Sequence, residues 1–181
     1  MKLFDITGKV AVVTGGNGGI GLAMAQGMAS IGANIVVAGR NAEKSAAAVD
    51  TLRAMGVKAE FVSADVTKKE DCFGMIAKAE ALFGRVDILV NNAGMSIRKM
   101  PQDLTEQEFR TVIDTNLTAA FLCSQAAYHA MKKVGGGKMI NIGSMMSLFG
   151  APYATPYASS KGGIVQMTRA LATAWAKDHI Q

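Results

Sequence analysis

Five short and almost uninterrupted apolar runs punctuate the chain, at residues 10–14, 35–38, 59–63, 86–91 and 139–144. A strand with one wet face alternates apolar and polar positions. Continuous runs of this length instead predict strands covered on both faces. Longer stretches with helical spacing lie between them. From Thr67 to Phe83, apolar residues recur at Cys72, Ile76, Ala79 and Phe83, one side of a helix. Thr67-Lys68-Lys69-Glu70 and Thr105-Glu106-Gln107-Glu108 both fit a capping box and predict two helix starts. The second of these helices runs to Lys132 and ends before Gly135-Gly136-Gly137. Another begins at Tyr157 and continues through Ile164, Thr168, Leu171 and Trp175.

Strand and helix alternating at this spacing predict right-handed crossovers, hence an α/β fold with a parallel sheet and helices on both faces. The chain has 181 residues, no internal repeat and no linker, so residues 1–181 are expected to form a single domain. In such folds ligands bind beyond the carboxyl ends of the strands, where the strand order reverses. Gly, Asn, Asp, Ser and Arg follow the apolar runs at those ends.

Composition excludes other classes. With 50% apolar and 18% charged residues, the chain is neither disordered nor fibrous. The net charge is +5, but no basic run exceeds two residues, which argues against a nucleic-acid partner. No apolar run approaches the roughly 18 residues of a membrane span, and Asp5 and Lys9 interrupt any signal-like stretch. Cys72 and Cys123 lie far apart without a Cys-x-x-Cys, as expected of buried thiols in a reducing cytoplasm. His129 and His179 have no metal-ligand spacing, so no metal is expected.

The candidate chemistry begins at the first turn. Gly15-Gly16-Asn17-Gly18-Gly19-Ile20-Gly21 follows an apolar strand and opens a helix. Glycines there allow a tight turn and let the backbone approach a pyrophosphate, while the helix N terminus offers N–H groups and a positive dipole end. The end of the second strand reads Gly39-Arg40-Asn41, with no acid to hold a ribose 2′-hydroxyl. A guanidinium at Arg40 can pair with a 2′-phosphate instead, so NADP(H) is expected over NAD(H). Asp65 can accept from an adenine amino group, with the Val66 backbone beside it. The small polar run Asn91-Asn92-Ala93-Gly94 suits close approach of a ribose and nicotinamide.

Tyr157 and Lys161 stand four residues apart and so share a helix face. A free phenol titrates near pH 10, too high for proton transfer at neutral pH. An ammonium about 4 Å away favours the phenolate by roughly 4 kcal/mol at an effective dielectric of about 20. Ser144, at the end of the fifth strand, can hydrogen-bond a substrate oxygen beside Tyr157. Asn116 falls on the apolar side of its helix between Ile113 and Leu117, where a buried amide needs partners; it reads either as a core Asn or as the holder of a relay water.

Taken together, Thr14-Gly15-x-x-x-Gly19-x-Gly21, Asn91-Asn92-Ala93-Gly94, Asn116, Ser144 and Tyr157-x-x-x-Lys161 resemble the short-chain dehydrogenase/reductase family over the whole chain. The resemblance implies a Rossmann-like doubly wound sheet of order 3-2-1-4-5 and a nicotinamide cofactor. It also implies a catalytic tetrad, with Tyr157 as acid/base, Lys161 tuning it and binding the nicotinamide ribose, Ser144 polarising the carbonyl and Asn116 holding a relay water. Gly143 departs from the Ser often found there. Family members continue with a further strand, a Pro-Gly turn, a lid and a last strand. This chain stops at Asp178-His179-Ile180-Gln181, so against the resemblance either the sequence is truncated or those parts are absent, and if absent an apolar sheet edge is open and the site lacks its lid.

Met95, Ser96, Ile97, Arg98, Met145, Met146, Phe149 and Tyr153 are expected near the substrate, and Arg98 can pair with a carboxylate or phosphate. The region 91–98 is similar to gluconate and deoxygluconate dehydrogenases and to 3-oxoacyl-carrier-protein reductases, which makes a sugar or sugar acid the expected substrate and a 3-oxoacyl thioester the alternative. Two other classes remain: a cofactor-binding sensor or scaffold without turnover, and a methyltransferase, which would leave Tyr157 and Lys161 without a purpose. The long helices at 105–133 and 157–177 resemble the pair that forms the family's dimer face, so a homotetramer or dimer is expected.

Overall fold

The computed structural model describes residues 4–181. Strands β1 (Val10–Thr14), β2 (Asn34–Gly39), β3 (Ala59–Ser63), β4 (Ile88–Asn91) and β5 (Lys138–Asn141) form one parallel sheet in the order β3-β2-β1-β4-β5. The helices are α1 (Gly19–Ala29), α2 (Ala42–Arg53), α3 (Lys69–Phe83), α4 (Glu106–Ile113), α5 (Ala119–Lys133) and α6 (Thr155–Trp175). The chain builds outward from β1 to β3 and then crosses back to β4, which places the switch point between β1 and β4.

Strand residues alternate between two cores, which is why the runs are apolar throughout. Val10, Val12, Val36, Val62 and Leu89 pack with Cys72, Met75 and Ile76 of α3 and with Cys123, Ala127 and Met131 of α5. Ala11, Val13, Ile35, Val37 and Val90 pack on the other face with Ala25 and Ala29 of α1 and with Val49 and Leu52 of α2. Both cysteines are buried and free, on facing helices.

Several expected boundaries are corrected. The fourth strand begins at Ile88 rather than Val86. Asp87, just before it, donates its backbone N–H to the Val10 carbonyl at 3.0 Å, and its own carbonyl accepts the Lys138 N–H at 2.9 Å. Its carboxylate accepts the Val10 N–H at 3.0 Å, Arg85 at 2.6 and 2.7 Å, and the Lys9 ammonium at 3.1 Å. Thr67 does not cap α3. Its N–H and hydroxyl both donate to Asp65, and the helix starts after Lys68 with no side-chain cap. The Thr105–Glu108 capping box is present as expected. The helix it starts runs unbroken to Lys133, as expected, with one π turn, Asp114–Thr118, between its α segments α4 and α5. The fifth strand ends at Asn141, so Ser144 is not a strand residue but the N-cap of a 3₁₀ turn, Met145–Ser147. Beyond the five strands the last residues make one isolated bridge to the sheet. His179, with φ of 56°, turns the backbone so that Ile180 bridges Gly137 in parallel, and Met139 donates to the Gln181 carbonyl at 2.7 Å.

Burial pushes the Asp87 carboxyl upward, but the Arg85 guanidinium, the Val10 N–H and the Lys9 ammonium outweigh it and hold the group below the ordinary carboxylate range. A carboxyl depressed in the folded state stabilises it above the unfolded value near 3.9, and that stability is lost as pH falls through the folded value. Asp87→Asn is therefore expected to cost about 1–3 kcal/mol at pH 7. The difference from wild type should shrink in urea unfolding below about pH 4.

Candidate functional site

Two adjoining clefts open at the carboxyl ends of the strands, on either side of Gly94 and Met95, which line both. The first has a volume of about 780 Å³, within the range of small-molecule sites. Gly15 and Asn17 from the glycine turn, Arg40 and Lys44 beyond β2, Asp65 and Val66 beyond β3, and Ala93 beyond β4 line it.

The turn after β1 is shaped by contact. A Cβ on Gly21 would lie 2.4 Å from the Gly15 carbonyl oxygen and 2.5 Å from Asn92 Nδ2. Gly15 has φ of +63°, and a Cβ there would meet Asn92 and Ala93. Asn92 closes the arrangement by donating to the carbonyls of Thr14 and Gly15 at 3.0 and 3.2 Å, while the Thr14 hydroxyl accepts from the N–H groups of Asn92 and Ala93. Asn17 donates to Ser45 and ties the turn to α2. Gly18 precedes α1, whose N terminus has neither a side-chain cap nor an acid in its first turn, and Gly19 is its first residue. Gly18, Gly19 and Gly21 line neither cleft and Ile20 lines the second, so the bare helix N terminus stands beside the glycine turn rather than in the first cleft's wall; such a terminus suits a phosphate-bearing ligand. Arg40 forms no ion pair among the described residues; its charge helps Thr67 hold Asp65 low, against burial.

The second cleft, about 490 Å³, is lined by Ile20, Asn92, Ser144, Met146, Tyr153, Tyr157 and Lys161, with Ser96 and Arg98 at its other side. Tyr157 and Lys161 sit one turn apart on α6, with Nζ 5.6 Å from the phenol ring centroid. Lys161 is buried and donates to the Ile142 carbonyl at 2.6 Å, and burial alone pushes its ammonium downward from the usual lysine value. The Ser144 oxygen accepts from the Met146 N–H at 3.2 Å, which leaves the hydroxyl proton free to donate.

Asn116 is buried within the π turn and lines neither cleft. Its oxygen accepts from the Met95 N–H at 2.8 Å; its amide donates to the Met95 carbonyl at 2.9 Å and to the Ser160 hydroxyl at 3.1 Å. It clamps the loop after β4 against α6.

The comparisons with known proteins agree with this geometry. Residues 9–181 match the model of the short chain dehydrogenase family. The chain belongs to that family. It is 39% identical over 182 residues to a 2-dehydro-3-deoxy-D-gluconate 5-dehydrogenase of Formosa agariphila, covering 100% of this chain and 69% of the relative. It is 36% identical over 179 residues to the gluconate 5-dehydrogenase of Gluconobacter oxydans, covering 99% of this chain and 70% of the relative. A solved NAD⁺-bound xylitol dehydrogenase superposes with a TM-score of 0.94 at 34% identity, covering 99% of this chain and 69% of that one.

This short-chain dehydrogenase brings Ser144, Tyr157 and Lys161 to one cleft, as the sequence suggested, and sets Asn116 behind it. Ile97, Met145 and Phe149 do not line that cleft; Met145 and Phe149 are exposed. Sequence reasoning missed the Ile142 carbonyl that holds Lys161, the contribution of Thr111 and Thr115 to the first cleft, and the Ser160 partner of Asn116. None leaves a local signal, because each depends on how separate elements meet. Among the described residues no group of three or more His, Cys, Asp or Glu could hold a metal, and no helix is long and apolar enough to cross a membrane.

Proposed function

We propose that this dehydrogenase transfers a hydride between NADP(H) and a secondary alcohol or ketone of a sugar acid. The observation that carries the reading is the convergence of Ser144, Tyr157 and Lys161 on one cleft, next to a glycine cradle sized for a dinucleotide. Gly15, Gly19, Gly21 and the α1 N terminus would hold the pyrophosphate, Asp65 and Val66 the adenine, and Asn92, Ala93, Gly94 and Lys161 the ribose and nicotinamide. When bound, that nicotinamide supplies the hydride chemistry.

The chain's own residues handle the proton. In reduction, the Ser144 hydroxyl donates to the substrate carbonyl, and Tyr157 gives that oxygen its proton as the alcohol forms. The Lys161 ammonium stabilises the phenolate left behind. Oxidation reverses the sequence. Asn116 keeps Met95 and the cleft wall in place. A relay water toward Lys161 would meet the second lone pair of its oxygen, because both amide hydrogens are already donated.

Arg98 and Tyr153 support a substrate with a carboxylate: the guanidinium stacks 5.6 Å from the Tyr153 ring centroid, and both line the catalytic cleft. A planar, pre-oriented guanidinium suits bidentate binding of a carboxylate. The relatives' names agree with this choice. One observation favours the alternative, a 3-oxoacyl thioester: Met145, Leu148 and Phe149 are exposed next to Met146 of the cleft and would suit an acyl chain. Assaying gluconate, 2-dehydro-3-deoxygluconate, xylitol and a 3-oxoacyl thioester with both nucleotides decides the matter. Highest kcat/KM on a sugar acid supports the reading. Turnover of the thioester alone, or nucleotide binding without any turnover, overturns it.

Cofactor choice rests on Arg40 and Lys44 at the end of the first cleft, where no acid follows β2. Arg40→Ser is expected to raise KM for NADP(H) about tenfold, the loss of about 1.4 kcal/mol of charge-assisted pairing, with little effect on NAD(H). Equal or better use of NAD(H) by the wild type contradicts the preference. Self-association as a dimer or tetramer through α5 and α6 is part of the same reading; Phe109 and Phe121 are exposed on α4 and α5. A monomer by size-exclusion light scattering would contradict it.

A further inference from the structure

Ser147 closes the 3₁₀ turn that Ser144 begins. Its N–H donates to the Ser144 carbonyl at 2.9 Å, and its hydroxyl oxygen accepts from the Ser144 N–H at 3.2 Å. The same hydroxyl donates to the backbone carbonyl of Lys161 at 2.8 Å. One side chain therefore joins the backbones of two residues that face the reacting oxygen from different elements. Among the described residues this is the only hydrogen bond between the turn and α6. The Lys161 carbonyl lies inside α6, where the helix ladder already supplies one partner, so Ser147 occupies its second lone pair. The bond is not needed to satisfy that carbonyl; its consequence is the spacing between turn and helix.

We propose that Ser147 is a positioning residue that sets Ser144 against Tyr157 and Lys161. The inference rests on the reading of those three as the reacting groups. Without the hydroxyl bridge, only packing holds the turn on α6, and its first residues, Met145 and Met146, have exposed or half-buried side chains. Ser144 then loses its fixed approach to the oxygen that Tyr157 protonates. A displacement of about 1 Å at such a group can cost about a hundredfold in rate. No residue of the turn lines the nucleotide cleft. The loss therefore falls on the chemical step rather than on nucleotide binding.

The test compares Ser147→Ala, Ser147→Thr, Ser144→Ala and wild type, with gluconate and NADP⁺ or, if the panel above selects another pair, with that pair. Rates are normalised to nucleotide-binding sites counted by fluorescence titration, so that misfolded protein does not count. Ser147→Ala should lower kcat about tenfold, with nucleotide Kd within about twofold of wild type. Ser147→Thr, which keeps a hydroxyl on the same carbon, should restore most of kcat. Unchanged kcat in Ser147→Ala beside a large loss in Ser144→Ala overturns the positioning role and leaves the active site standing. Equal losses in Ser147→Ala and Ser147→Thr also overturn it, because the hydroxyl would then not be the cause. Full activity in Ser144→Ala overturns both the site and the bridge.

Discussion

Tyr157→Phe is expected to lower kcat by about 10²–10⁴-fold while nucleotide affinity stays within about twofold of wild type. The substitution removes one oxygen and keeps the ring that packs 5.6 Å from the Lys161 ammonium. Among the described residues the phenol oxygen makes no hydrogen bond, so the fold does not depend on it. In the function proposed, its position in the second cleft, beside a buried ammonium and a serine hydroxyl with its proton free, would serve proton transfer. Lys161 is held by the Ile142 carbonyl and lies on the same face, where in the proposed function its charge would stabilise the phenolate. Steady-state kinetics on the substrate found by the panel, with nucleotide titration alongside, separates lost chemistry from lost binding.

Gly21→Ala is expected to be among the most damaging single methyls in the chain. The new carbon would fall 2.4 Å from the Gly15 carbonyl oxygen, a backbone atom, and 2.5 Å from Asn92 Nδ2, which is held by two hydrogen bonds. Neither neighbour is the free end of a flexible side chain. Relief requires α1 to move away from β1 and the cradle to open. The cost is about 1–3 kcal/mol or more in stability, with a fall in nucleotide affinity of roughly tenfold or more. Gly27→Ala, six residues along the same helix, has nothing within 4 Å of the added carbon. It should stabilise the protein by about 0.8–1 kcal/mol, because Ala suits a helix interior better than Gly. Opposite signs for the two variants in thermal unfolding would show that contact, not glycine content, governs the turn.

The parallel sheet was legible because both faces of the central strands β1, β2 and β4 are covered, and Val10–Thr14 and Ala59–Ser63 match their expected bounds. The ends were less so. An apolar residue such as Val86 looks like strand whether it pairs or only packs, and here it is buried just before the strand. Thr67-x-x-Glu70 has the letters of a capping box, but Asp65, two residues earlier, competes for the threonine and wins. The tetrad candidates could be found from residue type and spacing; the roles of their partners could not. Asn116 lies in a π turn that an apolar period of 3.6 residues does not reveal, and its amide is spent on Met95 and Ser160. Ser147 carried no sequence signal because its two partners belong to a turn and a helix that meet only in the folded chain.

The central claim is that a phenol, an ammonium and a serine hydroxyl sit around one carbonyl oxygen beside a bound nicotinamide. A single-turnover measurement tests it most directly. Enzyme loaded with reduced nucleotide is mixed with 5-keto-gluconate, and the near-ultraviolet absorbance of the nicotinamide is followed in wild type and Tyr157→Phe. The account predicts rapid loss of absorbance in the wild type, slowed when the transferable hydrogen is deuterium, and near-absence of the fast phase in the variant. Equal fast phases in both proteins, or bound nucleotide that no ketone of the panel oxidises, would contradict it.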